Sequence, residues 1–130
     1  MKLIKLLIVT LGVFFYGCAY QGNAPIRISE NIKPESNDEK HELIVLDPGF
    51  ETWFLTNAKP VSYHSLHFYE TQNSQYVSAW NAIFNSSGGR GPIQNRIEYD
   101  RNENYGLEVN HKLYWYFKFV ESRFGPLKPV

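Results

Sequence analysis

The sequence predicts a small α+β domain, mostly helical, with two short strands, carried behind a signal peptide and a flexible tether. Three observations lead there. Residues 6–16 form an apolar run interrupted only by Thr10 and Gly12, and it ends at Gly17-Cys18. Residues 43–46 (Leu-Ile-Val-Leu) form a shorter apolar run, stopped by Asp47-Pro48. Two later stretches repeat large apolar side chains at the three- and four-residue spacing of an α-helix.

The N-terminal run follows Lys2 and Lys5. It is too short to cross a bilayer as a helix of about 20 residues, but it has the length of a cleavable signal core, roughly 7–15. Cys18, the chain's only cysteine, follows the small residue Gly17. It is read as the position where acyl chains are attached and the signal is removed. This gives a lipoprotein signal peptide at 1–17, with the membrane as partner through acyl chains on Cys18. Each buried methylene contributes about 0.8 kcal/mol and one chain holds only marginally, so several are needed for a stable anchor. With its thiol acylated, the domain has no disulfide, no cysteine zinc site and no thiol nucleophile. Its stability has to come from packing.

Composition says how. Three tryptophans, nine tyrosines and nine phenylalanines are present, and all but Phe14, Phe15, Tyr16 and Tyr20 lie between Phe50 and Phe124. Large rings bury much area per residue, which suits a small core. Thirteen basic and thirteen acidic residues balance, with no concentrated basic patch. That excludes nucleic acid as a partner.

Residues 18–41 carry the lipidated cysteine, Pro25, Pro34 and the polar run from Glu35 to Lys40, with Ile26, Ile28 and Ile32 isolated. They are read as a flexible tether spanning roughly 25–30 Å, contributing little to folding. The globular domain is placed at 42–125. Its first strand is the apolar run at 43–46. Asp47 is expected to cap the next helix and Pro48 to occupy its first position, with Phe50, Trp53 and Phe54 on one face. A second helix is expected over 62–85, with Leu66, Tyr69, Tyr76, Trp80 and Ile83 in a stripe. Residues 86–92 are loop by composition, and 96–99 are expected to form the second strand. The last helix is expected from Tyr105 or Gly106 to Phe124. Its core stripe is Val109, Leu113, Phe117, Val120 and Phe124, and Glu108 is set to pair with Lys112.

Chemistry is harder to find. His64, His67 and Glu70 form an H-x-x-H-x-x-E series that invites a metal, but 60° steps around a helix converge poorly and solvated polar residues are the default. Asp100, Glu103, Glu98 and Glu108 form an acidic cluster resembling hydrolase carboxylates or a calcium loop. Arg101 interrupts it, and charges near a helix start are the default. No metal or cofactor is expected, and no catalytic residue is assigned. On the last helix, Trp115 and Phe119 fall off the core stripe, with His111 beside Trp115. Either the helix is sandwiched, the favoured reading, or these three residues form a binding surface.

Three stretches carry a resemblance: Glu42-Leu-Ile-Val-Leu-Asp-Pro-Gly-Phe-Glu-Thr-Trp-Phe54, Tyr76-Val-Ser-Ala-Trp-Asn81, and residues 98–119 from Glu-Tyr-Asp-Arg-Asn-Glu-Asn to Tyr-Trp-Tyr-Phe-Lys-Phe. The chain resembles a family of short predicted lipoproteins of unknown function from Gram-negative bacteria of the Bacteroidetes group. The resemblance implies an outer-membrane destination and transfers no catalytic residues. The expected function is a non-enzymatic, periplasm-facing binding or envelope-assembly module with an envelope protein or glycan as partner. The alternative is a small hydrolase or metal-dependent enzyme using His64, His67 and Glu70 or Asp100 and Glu103.

Overall fold

In the computed structural model, which describes residues 26–31, 40–89 and 91–128, two strands and three helices follow in order. They are β1 (Ile26–Asn31), β2 (Lys40–Val45), α1 (Phe50–Asn57), α2 (Leu66–Ser87) and α3 (Gly106–Phe124), with a 3-10 turn at Val61–Tyr63. The expected signal peptide at 1–17 and Cys18 lie outside the described residues, as do residues 19–25 and 32–39 of the expected tether.

The centre of the fold is α3, because its sequence is apolar on two faces and both must be covered. Val109, Leu113, Phe117 and Val120 are buried as the stripe predicts, and so are Tyr116 and Phe119 behind them. α2 covers the first face. Tyr69 meets His111 at 5.4 Å between ring centroids, and Tyr76 stacks on Phe117 at 4.9 Å. The contacts step up both helices together, so α2 and α3 run in the same sense and the connection between them returns along α2. α1 covers the second face in the opposite sense. Phe50 packs on Phe119 at 5.5 Å and Phe54 on His111 at 5.5 Å. The helix is sandwiched. Phe124 departs from its expected core position and is 61% exposed. Gly125, at φ 87°, ends the helix and turns the chain back, so that buried Leu127 closes the core instead.

β2 takes in Leu43, Ile44 and Val45 of the expected apolar run and stops before Leu46; only one face of it is covered, with Leu43 buried and Ile44 and Leu46 exposed. Its partner comes from an unexpected place: β1 pairs with it antiparallel, Ile26 opposite Val45 and Ile28 opposite Leu43. Ile26 is in the core at 3% exposure. This corrects the tether reading for these six residues. Ile26 and Ile28 are too few to make a helix face, but two isoleucines at a spacing of two suffice to lay a strand on an existing core.

Residues 96–99, expected as a strand, join no ladder. Asn81 on α2 holds them: its Oδ1 accepts the Ile97 amide at 2.9 Å and its Nδ2 donates to the Ile97 carbonyl at 3.1 Å. The Trp80 indole N–H donates to the Asn95 carbonyl at 2.8 Å. One asparagine thus supplies what a neighbouring strand would. Ile97 is buried between exposed Arg96 and Glu98, which produced the strand-like alternation.

Two helix starts differ from expectation through their caps. Ser65 Oγ accepts the Phe68 amide at 3.2 Å, so α2 begins at Leu66 rather than 62. Asp47 does not cap α1: its carboxylate accepts the Gly49 amide at 2.9 Å within the turn that also holds Pro48, and the helix starts at Phe50 with Gly49 as its N-cap. Lys112 reaches across to Glu51 on α1 at 2.7 Å rather than pairing with Glu108.

Candidate functional site

The H-x-x-H-x-x-E series is broken by the position of the α2 cap. His64 lies before Ser65, outside the helix, and stacks on Phe68 at 3.8 Å between centroids. His67 is exposed and Glu70 is half-buried. Among the described residues no group of three or more histidines, cysteines, aspartates or glutamates is placed to hold a metal ion.

The acidic cluster does not converge: Glu98 and Glu108 are exposed, and Asp100 and Glu103 are engaged locally. Asp100 Oδ1 accepts the Asn102 amide at 2.8 Å, and its carbonyl accepts the Glu103 amide at 3.2 Å. Glu103 reaches His41 on β2, Oε1 to Nε2 at 3.1 Å, tying the loop to the hairpin. The His41 ring is buried with its edge toward Tyr105 at 4.9 Å.

The three candidates on α3 sit beneath α1. His111 Nε2 donates to the Lys59 carbonyl at 2.7 Å, which fixes the proton on that nitrogen and pins the end of α1. Phe119 is 1% exposed. Trp115 is half-buried against Trp53 at 6.2 Å. The surface reading of this face is therefore corrected: Phe119 and His111 are interior, and only part of Trp115 meets solvent.

Between α2, α3 and the returning connection lies a buried polar knot. Asn73 Nδ2 donates to the Asn110 carbonyl at 2.8 Å, and the Tyr99 hydroxyl donates to Asn110 Oδ1 at 2.8 Å. Such a knot fixes the register of two packed helices, because slipping either would leave buried amides unpaired. Burial, reinforced by the Glu70 carboxylate, pushes the Tyr99 phenol up to about 12. Burial and the Glu121 carboxylate, which accepts its hydroxyl at 2.9 Å, push Tyr76 up to about 12 as well. Burial raises Tyr116 further.

A phenol with its folded value above the unfolded one, near 10, gives stability that is whole below pH about 10 and lost as pH rises through the folded value. The fold is accordingly expected to hold up to about pH 10 and to unfold between about 10 and 12. Circular dichroism followed beside phenolate absorbance checks this. Complete phenolate formation with the helices intact contradicts the burial of these hydroxyls.

The surface that sequence reasoning missed is a groove along α2. Its floor is Thr71, Ser74, Gln75 and Ser78, and its walls carry Arg101 from the return connection and Lys128 from the C-terminal turn. It is open, with a volume of about 710 Å³. Short hydroxyl side chains at three- and four-residue spacing opposite the Tyr69–Tyr76–Trp80 face were its only signal in the sequence. Lys128 lies 4.1 Å over the Tyr76 ring and donates to Gln72 Oε1 at 2.7 Å. Arg101 is exposed and makes no hydrogen bond or ion pair with the described residues. The arrangement offers hydroxyl and amide groups below and two cations above. That suits a polar ligand with negative charge.

A model of a family of unknown function (DUF6146) matches residues 5–128. No curated protein and no solved structure matches the chain.

Proposed function

We propose that this chain, which belongs to the DUF6146 family of unknown function, is an outer-membrane lipoprotein anchored through Cys18. Its periplasm-facing domain acts as a non-enzymatic binding module for an anionic glycan of the envelope. The α2 groove carries the binding part of this reading: it is a concave surface with an arginine that makes no hydrogen bond or ion pair to the described residues, whereas Asp100 is held in a turn, Glu103 in a pair with His41, His64 in a stack and His111 on a backbone carbonyl. Support for the anchor comes from the Lys2, Lys5, Leu6–Tyr16, Gly17-Cys18 pattern, which the family match takes in almost whole. No helix among the described residues is long and apolar enough to cross a membrane.

Two measurements test it. A fatty-acid analogue fed to cells is expected to label the wild type and leave Cys18→Ser unlabelled and unprocessed; equal labelling of both ends the lipoprotein reading. Purified peptidoglycan, a carboxylate-bearing glycan, is expected to sediment the wild-type domain and to bind Arg101→Glu about tenfold less well, the worth of one charge-assisted hydrogen bond. Identical binding of the two proteins, or none by the wild type, removes the groove from consideration.

A further inference from the structure

The length of chain between the anchor and the fold decides which end of the domain faces the bilayer. With β1 beginning at Ile26, only seven residues separate it from Cys18. Eight steps of chain reach at most about 26–29 Å fully extended. As a coil they average roughly 14–17 Å, whereas a domain of this size is about 30 Å across. Ile26 therefore stays close to whatever surface holds Cys18, and the far end of the domain does not.

The structure identifies what surrounds that point. Ile26 pairs with Val45 at the end of the hairpin that leads through Leu46 into the turn at Gly49. A Cβ on Gly49 would stand 2.7 Å from Arg123 Nη2, so this end of the hairpin lies against the last turn of α3. Phe124 follows Arg123, with its ring beside Gly91 in the glycine-rich loop. Two of the large apolar side chains that the fold leaves exposed sit here: Leu46 at 48% and Phe124 at 61%. Charges at this end include Asp47, whose carboxylate accepts the Gly49 amide, exposed Arg123, and exposed Arg96, whose guanidinium donates to Asn85 Oδ1 near the end of α2 at 2.7 Å. The Arg101 wall of the groove lies toward the opposite end, in the loop that Glu103 ties to His41.

We infer that the end carrying Leu46, Arg123 and Phe124 rests on the phospholipid surface, with both apolar side chains entering the headgroup layer. This rests on acylation of Cys18. The exposed phenylalanine that the core stripe failed to bury is then a membrane contact held at short range by the tether, with a cation beside it for lipid phosphates. The Arg101 wall of the groove is left on the side away from the bilayer.

The test uses the full-length acylated protein in vesicles of phosphatidylethanolamine and phosphatidylglycerol that carry spin-labelled lipids. Because the Cys18 thiol is blocked, Phe124→Cys, Leu46→Cys and Leu55→Cys each present one thiol for an environment-sensitive fluorophore. Leu55, 83% exposed on α1, is the control, since α1 runs away from this end. Lipid-borne quencher is expected to extinguish positions 46 and 124 several-fold more than position 55. Each labelled variant keeps the other apolar side chain, so neither reports only its own loss. Vesicle-bound protein with equal quenching at all three positions overturns the orientation and leaves the lipoprotein reading standing. Protein that stays in solution and takes fluorophore on Cys18 overturns both.

Discussion

Phe119→Ala is expected to destabilise the domain by about 3–5 kcal/mol, the range for removing a fully buried phenylalanine. Phe119 is 1% exposed and is shared between α1 and α3: Phe50 lies 5.5 Å away, Trp53 5.6 Å, and the Arg123 guanidinium 4.4 Å over its outer face. α1 has only eight residues and no side-chain cap, so packing on this ring is a main part of what holds it. Loss of Phe119 should therefore also expose Trp53, visible as a red shift in tryptophan emission before global unfolding. Leu113→Ala, at the centre of the other face, is the control and is expected to lose about 2–5 kcal/mol. Trp115→Ala, half-exposed, should lose less than either. Denaturant midpoints of the three variants give the comparison. A Phe119→Ala domain within about 0.5 kcal/mol of wild type would falsify the sandwiched helix.

The parts of the fold that sequence reasoning found are those where one local rule decided the outcome. α3 runs from Gly106 to Phe124 as expected, since a glycine stands at each end of an unbroken apolar stripe. The parts it missed depend on partners distant in sequence. Nothing around Ile97 announces that Asn81 will stand in for a strand, and nothing around Ile26 announces that β2 has a free edge and an open core beside it. Phe124 fits the stripe by spacing, yet Leu127 reaches the core first because Gly125 reverses the chain. The same limit applies to the site. His64 and His67 share a sequence pattern, but the Ser65 cap puts one of them outside the helix. The groove has no motif, because its floor and its two walls come from three segments brought together only by folding.

A chain that starts at His41 is expected to melt far below one that starts at Ala19, because it lacks β1. The sequence alone suggests the opposite, a tether that can be removed without consequence. In the fold, Ile26 is 3% exposed among core side chains and half-buried Ile28 packs beside it. Removing them uncovers Leu43, itself 4% exposed, and leaves the backbone of β2 without its only partner strand among the described residues. Emptying one fully buried isoleucine site alone costs about 2–5 kcal/mol, against a total stability of about 5–15 kcal/mol for a domain of this kind. At about 4–8 °C per kcal/mol, a loss of 3 kcal/mol lowers the melting temperature by roughly 12–24 °C. Ile26→Asp in the longer chain separates the side chain from the strand. A buried carboxylate without a partner should reproduce most of the loss while every residue of β1 remains. Thermal melts followed by circular dichroism decide it. If the His41 chain melts within a few degrees of the longer one, β1 is dispensable, the link to Cys18 lengthens accordingly, and the short-range hold on the membrane-facing end goes with it.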